Sequence, residues 1–263
     1  MTAPEASAKA PGYGANLVAV VGQGLARLVR PSQAPHQAVA AGCLRQQLFA
    51  LSAVSIGLIL LLVFTFDTTA IGLMPPRVTP ALWPVRIFTD FGKDEYVLAA
   101  LAAALVVVAL LAPLWPRGSR RRLLHLGTHL QYLFIAVLSP VLGAQVLKWA
   151  IGRGRPFVGG KANAFNFQPF NGTEAYFSMP SAHAVTAFAL AFAVAAVWPR
   201  LRIPIYLYAV AIALSRLVLL AHHPSDVVGG ALVGLVGAML VRYWFATRQL
   251  GFAVGDGGQI VPR

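Results

Sequence analysis

Three short strings of polar residues interrupt an otherwise apolar chain, and their residue types suit phosphate chemistry. The first is Lys148 followed, after six residues, by Arg155-Pro156. The second is Pro180-Ser181-Ala182-His183, and the third is Ser215-Arg216, five residues, then His222-His223-Pro224-Ser225-Asp226. Lys148, Arg155 and Arg216 are three cations near membrane depth, where an unpaired charge costs several kcal/mol. Within these strings only Asp226 is acidic, so the cations call for an anionic ligand from outside. Arginine offers a planar fork for two phosphate oxygens and lysine a point charge. His222 precedes Asp226 by four residues, a separation that allows the carboxylate to accept from imidazole Nδ1–H. That bond would leave Nε2 as a nucleophile. His183 is placed to protonate a departing oxygen. Nothing in this set requires a metal or another cofactor.

The residues need elements to hold them. Ser181 and Ala182 precede an apolar run and read as a helix start; Pro224-Ser225-Asp226 reads as another, because proline suits the first helical turn. Two helix N-termini on one face present free N–H groups and positive dipole ends, which favour phosphate. A hydrocarbon core of ~30 Å takes about 20 apolar residues per helix. Six segments meet this requirement: Gln47–Phe66, Glu95–Trp115, His129–Leu147, a short His183–Trp198, Ile203–Leu220 and Val227–Phe245. The expected fold is all-α, a polytopic bundle of six transmembrane helices.

Composition supports the bilayer. The chain is 58% hydrophobic and 11% charged, against about 25% charged in a soluble domain. Its net charge of +13 could suggest nucleic acid. The cations lie between apolar runs, however, so membrane topology explains them and no nucleic-acid partner is expected. Thirteen of the 21 Lys and Arg fall on the side of both tails and of the Arg117–Arg122 and Arg200–Arg202 loops. Positive charge marks the cytoplasmic side, which gives an N-in, C-in arrangement. The strings above then all face out. Cys43 is the single cysteine, excluding an intramolecular disulfide and a multi-cysteine zinc site. Residues 1–45 read as a cytoplasmic tail without a cleavable signal, in which Leu17–Val29 could form a surface helix. Residues 46–247 read as the membrane domain and 248–263 as a second cytoplasmic tail.

The pattern Lys-x6-Arg-Pro, Pro-Ser-x-His, Ser-Arg-x5-His-x3-Asp resembles the type 2 phosphatidic-acid phosphatase superfamily, which includes bacterial acid phosphatases and vanadium haloperoxidases. The motifs cover Lys148–Asp226. The resemblance implies that His222 attacks phosphorus and becomes phosphorylated, that Asp226 supports it, and that His183 protonates the leaving group and later activates water. It also implies that Lys148, Arg155, Ser181 and Arg216 hold the phosphoryl oxygens, helped by amides near Ala182 and His183. The family usually has glycine where Ala182 stands. Alanine is tolerated if the backbone there is helical and costs activity if it must be left-handed.

The expected activity is hydrolysis of a lipid phosphate or diphosphate at the outer leaflet of a bacterial inner membrane, with the site facing the periplasm. Phosphatidic acid, phosphatidylglycerol phosphate, undecaprenyl diphosphate and lipid A phosphates are the substrate classes of similar bacterial proteins. Transfer to a second lipid would use the same residues. An anion transporter would not need the two histidines and Asp226, and the spans lack mid-membrane breaks. The haloperoxidase branch does not fit, because those relatives are soluble. Outside the motifs, Arg153 reads as an interfacial anchor, with contact to a second phosphate or headgroup as the other reading. Asp90, Lys93, Asp94 and Glu95 read as a cap on the second span.

Overall fold

A computed structural model of the chain describes residues 12–32 and 36–263; residues 1–11, part of the expected N-terminal tail, and 33–35 lie outside it. In chain order the helices are α1 Tyr13–Val29, α2 Gln37–Thr65, α3 Asp67–Leu73, α4 Trp83–Asp90, α5 Asp94–Leu111, α6 Arg117–Ile151, α7 Ala182–Val197, α8 Arg202–Val218 and α9 Pro224–Thr247. An antiparallel hairpin, β1 Phe252–Val254 with β2 Ile260–Pro262, follows. Five helical stretches are long and apolar enough to cross a membrane, those containing α2, α5, α6, α8 and α9. The protein is an integral membrane protein on this ground.

The remaining apolar helix, α7, has 16 residues and is about 24 Å long at 1.5 Å per residue, short of the hydrocarbon thickness. It sits at the centre of the bundle, packed by α5, α6, α8 and α9, and its buried residues run right round it, from Ala184 and Val185 to Ala193 and Val197. A helix sheathed in protein need not match the lipid. The outer helix α2 shows the opposite pattern: Phe49, Val54, Leu61 and Phe64 are mostly exposed, an apolar surface of the kind lipid covers.

Close packing rather than a water-driven core holds such helices together, because lipid is as apolar as leucine. Gly230 and Gly234 of α9 face α7: a Cβ on Gly230 would lie 2.5 Å from the Ser181 carbonyl oxygen, and one on Gly234 2.4 Å from that of Val185. Gly237 faces Pro140, the proline inside α6. At the end holding the β1–β2 hairpin, Tyr132 stacks edge-on against Phe252 at 4.8 Å and Phe245 at 5.4 Å.

Apolarity locates the helices but understates their length. α2 begins ten residues before Gln47, and α6 begins at Arg117 rather than His129. The α6 extension opens on the polar Arg117–Arg122 stretch, which is helix and not loop, and the α2 extension is separated from its apolar run by Arg45-Gln46-Gln47. The segment 248–263 is ordered: Phe252 is fully buried, and Arg263 N–H donates to the Gly251 carbonyl at 2.9 Å. N- and C-terminal segments meet at one end of the bundle, where Ser32 Oγ donates to Thr247 O at 3.1 Å and Arg30 to Arg248 O.

Candidate active site

The opposite end of the bundle gathers all seven residues singled out above. The connection from α6 to α7 crosses it. Gly152 closes α6 at φ +56, and a Cβ there would meet Gln168 O at 1.9 Å, so only glycine fits this turn. Backbone bonds pin the crossing: Gln168 N to Gly152 O at 2.7 Å, Arg155 N to Ala175 O at 2.8 Å, Ser178 N to Arg153 O at 3.0 Å. The chain then enters α7 through Ser181. Ser181 N–H donates to Asp226 O at 3.0 Å, which sets the N-termini of α7 and α9 side by side. Gly230 permits that approach. Ala182 is the first residue of α7 and has no positive φ, so the missing glycine costs no backbone strain.

Lys148 lies in the last turn of α6 and is buried. Arg155 keeps some exposure and its Nη2 donates to Glu174 Oε2 at 2.8 Å, on a glutamate that is itself solvent-exposed. Arg216 Nη1 donates to Thr89 Oγ1 at 3.0 Å. Its neighbour Ser215 is spent on structure, with Oγ bonded to Ile212 O at 2.6 Å and Thr89 Oγ1 at 2.9 Å. The charges of Arg216, Lys148 and Arg155 act on both imidazoles, His183 and His222, so the two rings share one electrostatic environment. Burial is the largest effect on His222 and holds it well below the usual 6.5; Asp226 opposes this, and the three cations reinforce it. His222 is therefore neutral near pH 7.

The polar atoms left over point to the ligand. Ser181 Oγ, His183 Nε2, Arg155 Nε, Arg216 Nε and His222 Nδ1 are buried without a hydrogen-bond partner in the protein. Buried polar groups in folded proteins are almost always paired. Ser181, Arg155 and Arg216 supply donors, which an acceptor-rich group such as phosphate would satisfy. Among the described residues, no three His, Cys, Asp or Glu side chains group as a metal site would require.

One expected contact differs. His222 Nδ1 lies 3.9 Å from Asp226 Oδ2, within reach of an ion pair but longer than a hydrogen bond. An i, i+4 contact needs helical spacing between the two residues, whereas α9 starts only at Pro224. His223 occupies the N-cap and takes the carboxylate instead, its N–H donating to Asp226 Oδ2 at 2.8 Å and its Nδ1 lying 3.1 Å away. Ser178 Oγ donates to the same oxygen at 2.6 Å.

Arg153 is no interfacial anchor. It is fully buried, and its five N–H donors are all engaged. Nη1 reaches Asp226 Oδ1 and Ser225 Oγ, both at 2.6 Å; Nη2 reaches Asp67 Oδ2 and Ala164 O, both at 2.8 Å; Nε reaches Ala164 O at 3.2 Å. Asp67, fully buried at the start of α3, also accepts from Ser225 N at 3.0 Å and from Ser225 Oγ. A buried Asp67–Arg153–Asp226 triad thus braces the site from below. Asp67, Ser178 and the arginines Arg77 and Arg86 also belong to this end of the bundle, and no motif in the sequence marks them. The last two line, with Thr89, Asp90 and Arg216, a cleft of about 340 Å³ that opens beside the cations. Arg77 Nε donates to Leu219 O at 3.2 Å, and burial, then Arg155 and Arg86, push its guanidinium down from its ordinary value. Asp90 pairs with Lys93 at 2.8 Å, while Asp94 and Glu95 do sit in the first turn of α5.

Residues 128–250 match the PAP2 superfamily. This region is a PAP2 domain. It contains all three motifs and every residue of the cation and histidine cluster, whereas Asp67, Arg77, Arg86 and Thr89 reach it from outside. The chain is 37% identical over 127 residues to a protein named Lipid A 1-phosphatase from Rhizobium johnstonii, covering 48% of this chain and 52% of that protein. It is 36% identical over 127 residues to one of the same name from Rhizobium etli, covering 48% and 55%. The matched part spans about half the length of these curated relatives. No solved structure matches the chain.

Proposed function

We propose that the chain is a lipid phosphate phosphatase working through a phosphohistidine on His222. The observation that carries this reading is the set of buried, unpartnered polar atoms on Ser181, His183, Arg155, Arg216 and His222 beside the cation of Lys148, gathered at two helix N-termini. In the proposed reaction Nε2 of neutral His222 attacks phosphorus in line. The phosphorus–oxygen bond to the lipid breaks, and the departing oxygen takes a proton from His183. The bound phosphate dianion offsets the surrounding cations, which lets His183 hold that proton. His183 then takes a proton from water, the hydroxide attacks the phosphohistidine, and inorganic phosphate leaves. Lys148, Arg155, Ser181 and Arg216 stabilise charge on the phosphoryl oxygens. Asp226 fixes the His222 tautomer when its 3.9 Å separation closes, as catalytic bonds commonly tighten once substrate binds. No metal enters these steps.

The membrane arrangement proposed is six spans, with α7 as the short inner one, both termini in the cytoplasm, and the site opening at the outer leaflet of a bacterial inner membrane. The excess of positive charge at the terminal end supports it. The names of the two relatives make the 1-phosphate of a lipid A-type substrate the first candidate, ahead of phosphatidic acid, phosphatidylglycerol phosphate and undecaprenyl diphosphate. Phosphate release from that panel in detergent, with EDTA present, is the test. Release that survives chelation and disappears in His222→Ala is expected. Release unchanged in His222→Ala, or abolished by EDTA, would overturn the mechanism.

A further inference from the structure

The end of the bundle away from the site carries a second concentration of charge. Arg27 and Arg30 of the α1 segment and Arg120, Arg121 and His125 of α6 line a cleft of about 450 Å³. No acidic residue lines it, and among the described residues none of these four arginines takes part in an ion pair. Arg30 gives one donor to Arg248 O, while its Nε is buried without a partner. Four guanidinium groups without an acidic partner thus line one cleft, an arrangement that an anion among them would complement.

The cleft continues into a groove of about 280 Å³ between α1, α5 and α6, walled largely by apolar side chains such as Val20, Val21, Leu105 and Val106. Arg27, Leu124, Thr128 and Leu250 border both. A soluble anion would use the charged half only, whereas an amphiphile fits both halves. α1 itself has no fully buried residue, and Val18, Leu25 and Val29 are mostly exposed. It has the character of a helix lying in the interface, tied to α5 by Tyr13 Oη donating to Leu110 O at 3.0 Å.

We infer that this composite site binds one anionic phospholipid, with its phosphate among Arg27, Arg30, Arg120 and Arg121 and an acyl chain in the α1–α5–α6 groove. The lipid is a ligand here and not a substrate: it clamps α1 onto the bundle at the end remote from His222. Basic pockets between helices at that side of a membrane are suited to such headgroups.

Native mass spectrometry of the full chain, released from micelles holding equal amounts of phosphatidylglycerol and phosphatidylcholine, tests this directly. Wild-type protein is expected to retain phosphatidylglycerol over phosphatidylcholine. The preference should fall about fivefold for each arginine neutralised, read in Arg27→Gln, Arg120→Gln and Arg121→Gln singly and together. Gly24→Phe fills the groove from a position with open space around it and leaves every charge in place. It should lose lipid retention while phosphatase turnover stays unchanged. Arg155→Gln with Arg216→Gln, at the other end, should keep the preference, which separates this site from the catalytic one. Equal retention of both lipids, retention unaffected by the Arg27, Arg120 and Arg121 changes, or inorganic phosphate displacing phosphatidylglycerol at equal concentration would each overturn the inference.

Discussion

Arg153 and Arg155 stand two residues apart in one loop, and the structure gives them opposite fates under substitution. Arg153→Met would leave Asp67 and Asp226, both fully buried, without their shared cation. At about 4 Å between charge centres and an effective dielectric of about 20, each pair interacts by roughly 4 kcal/mol. Desolvation cancels much of this in the intact triad, but removing one partner of a buried pair costs about 3–5 kcal/mol. At roughly 2–4 °C per kcal/mol for a domain of this size, the melting temperature should fall by on the order of 10 °C or more. Arg155→Met breaks only a contact to an exposed glutamate, which is worth about 0–1 kcal/mol. Its melting temperature should stay within a few degrees while phosphate release collapses. Thermal unfolding in detergent, followed by tryptophan fluorescence alongside the activity assay, reads both quantities. Equal stability in the two variants, or a stable Arg153→Met, would refute the bracing role given to the triad.

Other outcomes follow from the same geometry. Ser181→Ala removes a buried hydroxyl that no protein group uses. It should leave the melting temperature unchanged and lower kcat/KM roughly ten- to a hundredfold, the worth of one bond to a charged group. Gly230→Ala places a Cβ 2.5 Å from Ser181 O; overpacking of about 1–3 kcal/mol should lower the melting temperature, and activity with it as the two helix starts separate. The acid limb of kcat/KM should lie below pH 6.5, because burial and the cations depress His222 and keep its nucleophilic neutral form as pH falls. Removing the charge in Arg216→Gln takes away one depressing cation, so the limb should move to higher pH. An unmoved limb would show that another group sets it.

How much of this was legible in the sequence varies by residue. The meeting of the motif residues at one end of the bundle was, because their spacings set them at the ends of four successive helices, α6 to α9. Helix positions were legible from apolar runs, but the starts of α2 and α6 were not: α6 opens on the polar Arg117-Gly118-Ser119-Arg120, and the first turn of α2 is cut off from its apolar run by Arg45-Gln46-Gln47 and packs at Val39 and Ala40 against Gly258. What the spacing did not reveal is that His223, at the N-cap, lies closer to the Asp226 carboxylate than His222, which precedes the helix and stands 3.9 Å away. Arg153 could not be told from any loop arginine. Its partner Asp67 is 86 residues away, and only the folded crossing of the α6–α7 connection brings the two together. Arg77 and Arg86 were hidden for a similar reason, lying before the PAP2 domain and folding back over its mouth.

Trapping a phosphorylated His222 is the most direct measurement of the proposed mechanism. A radiolabelled lipid phosphate is mixed with the enzyme, quenched rapidly in alkaline denaturant, which preserves phosphohistidine, and the label is mapped by peptide. Label on His222, formed more slowly in His183→Ala and absent in His222→Ala, is the expected result. Turnover that proceeds with no label on His222, or label on another side chain, would contradict it.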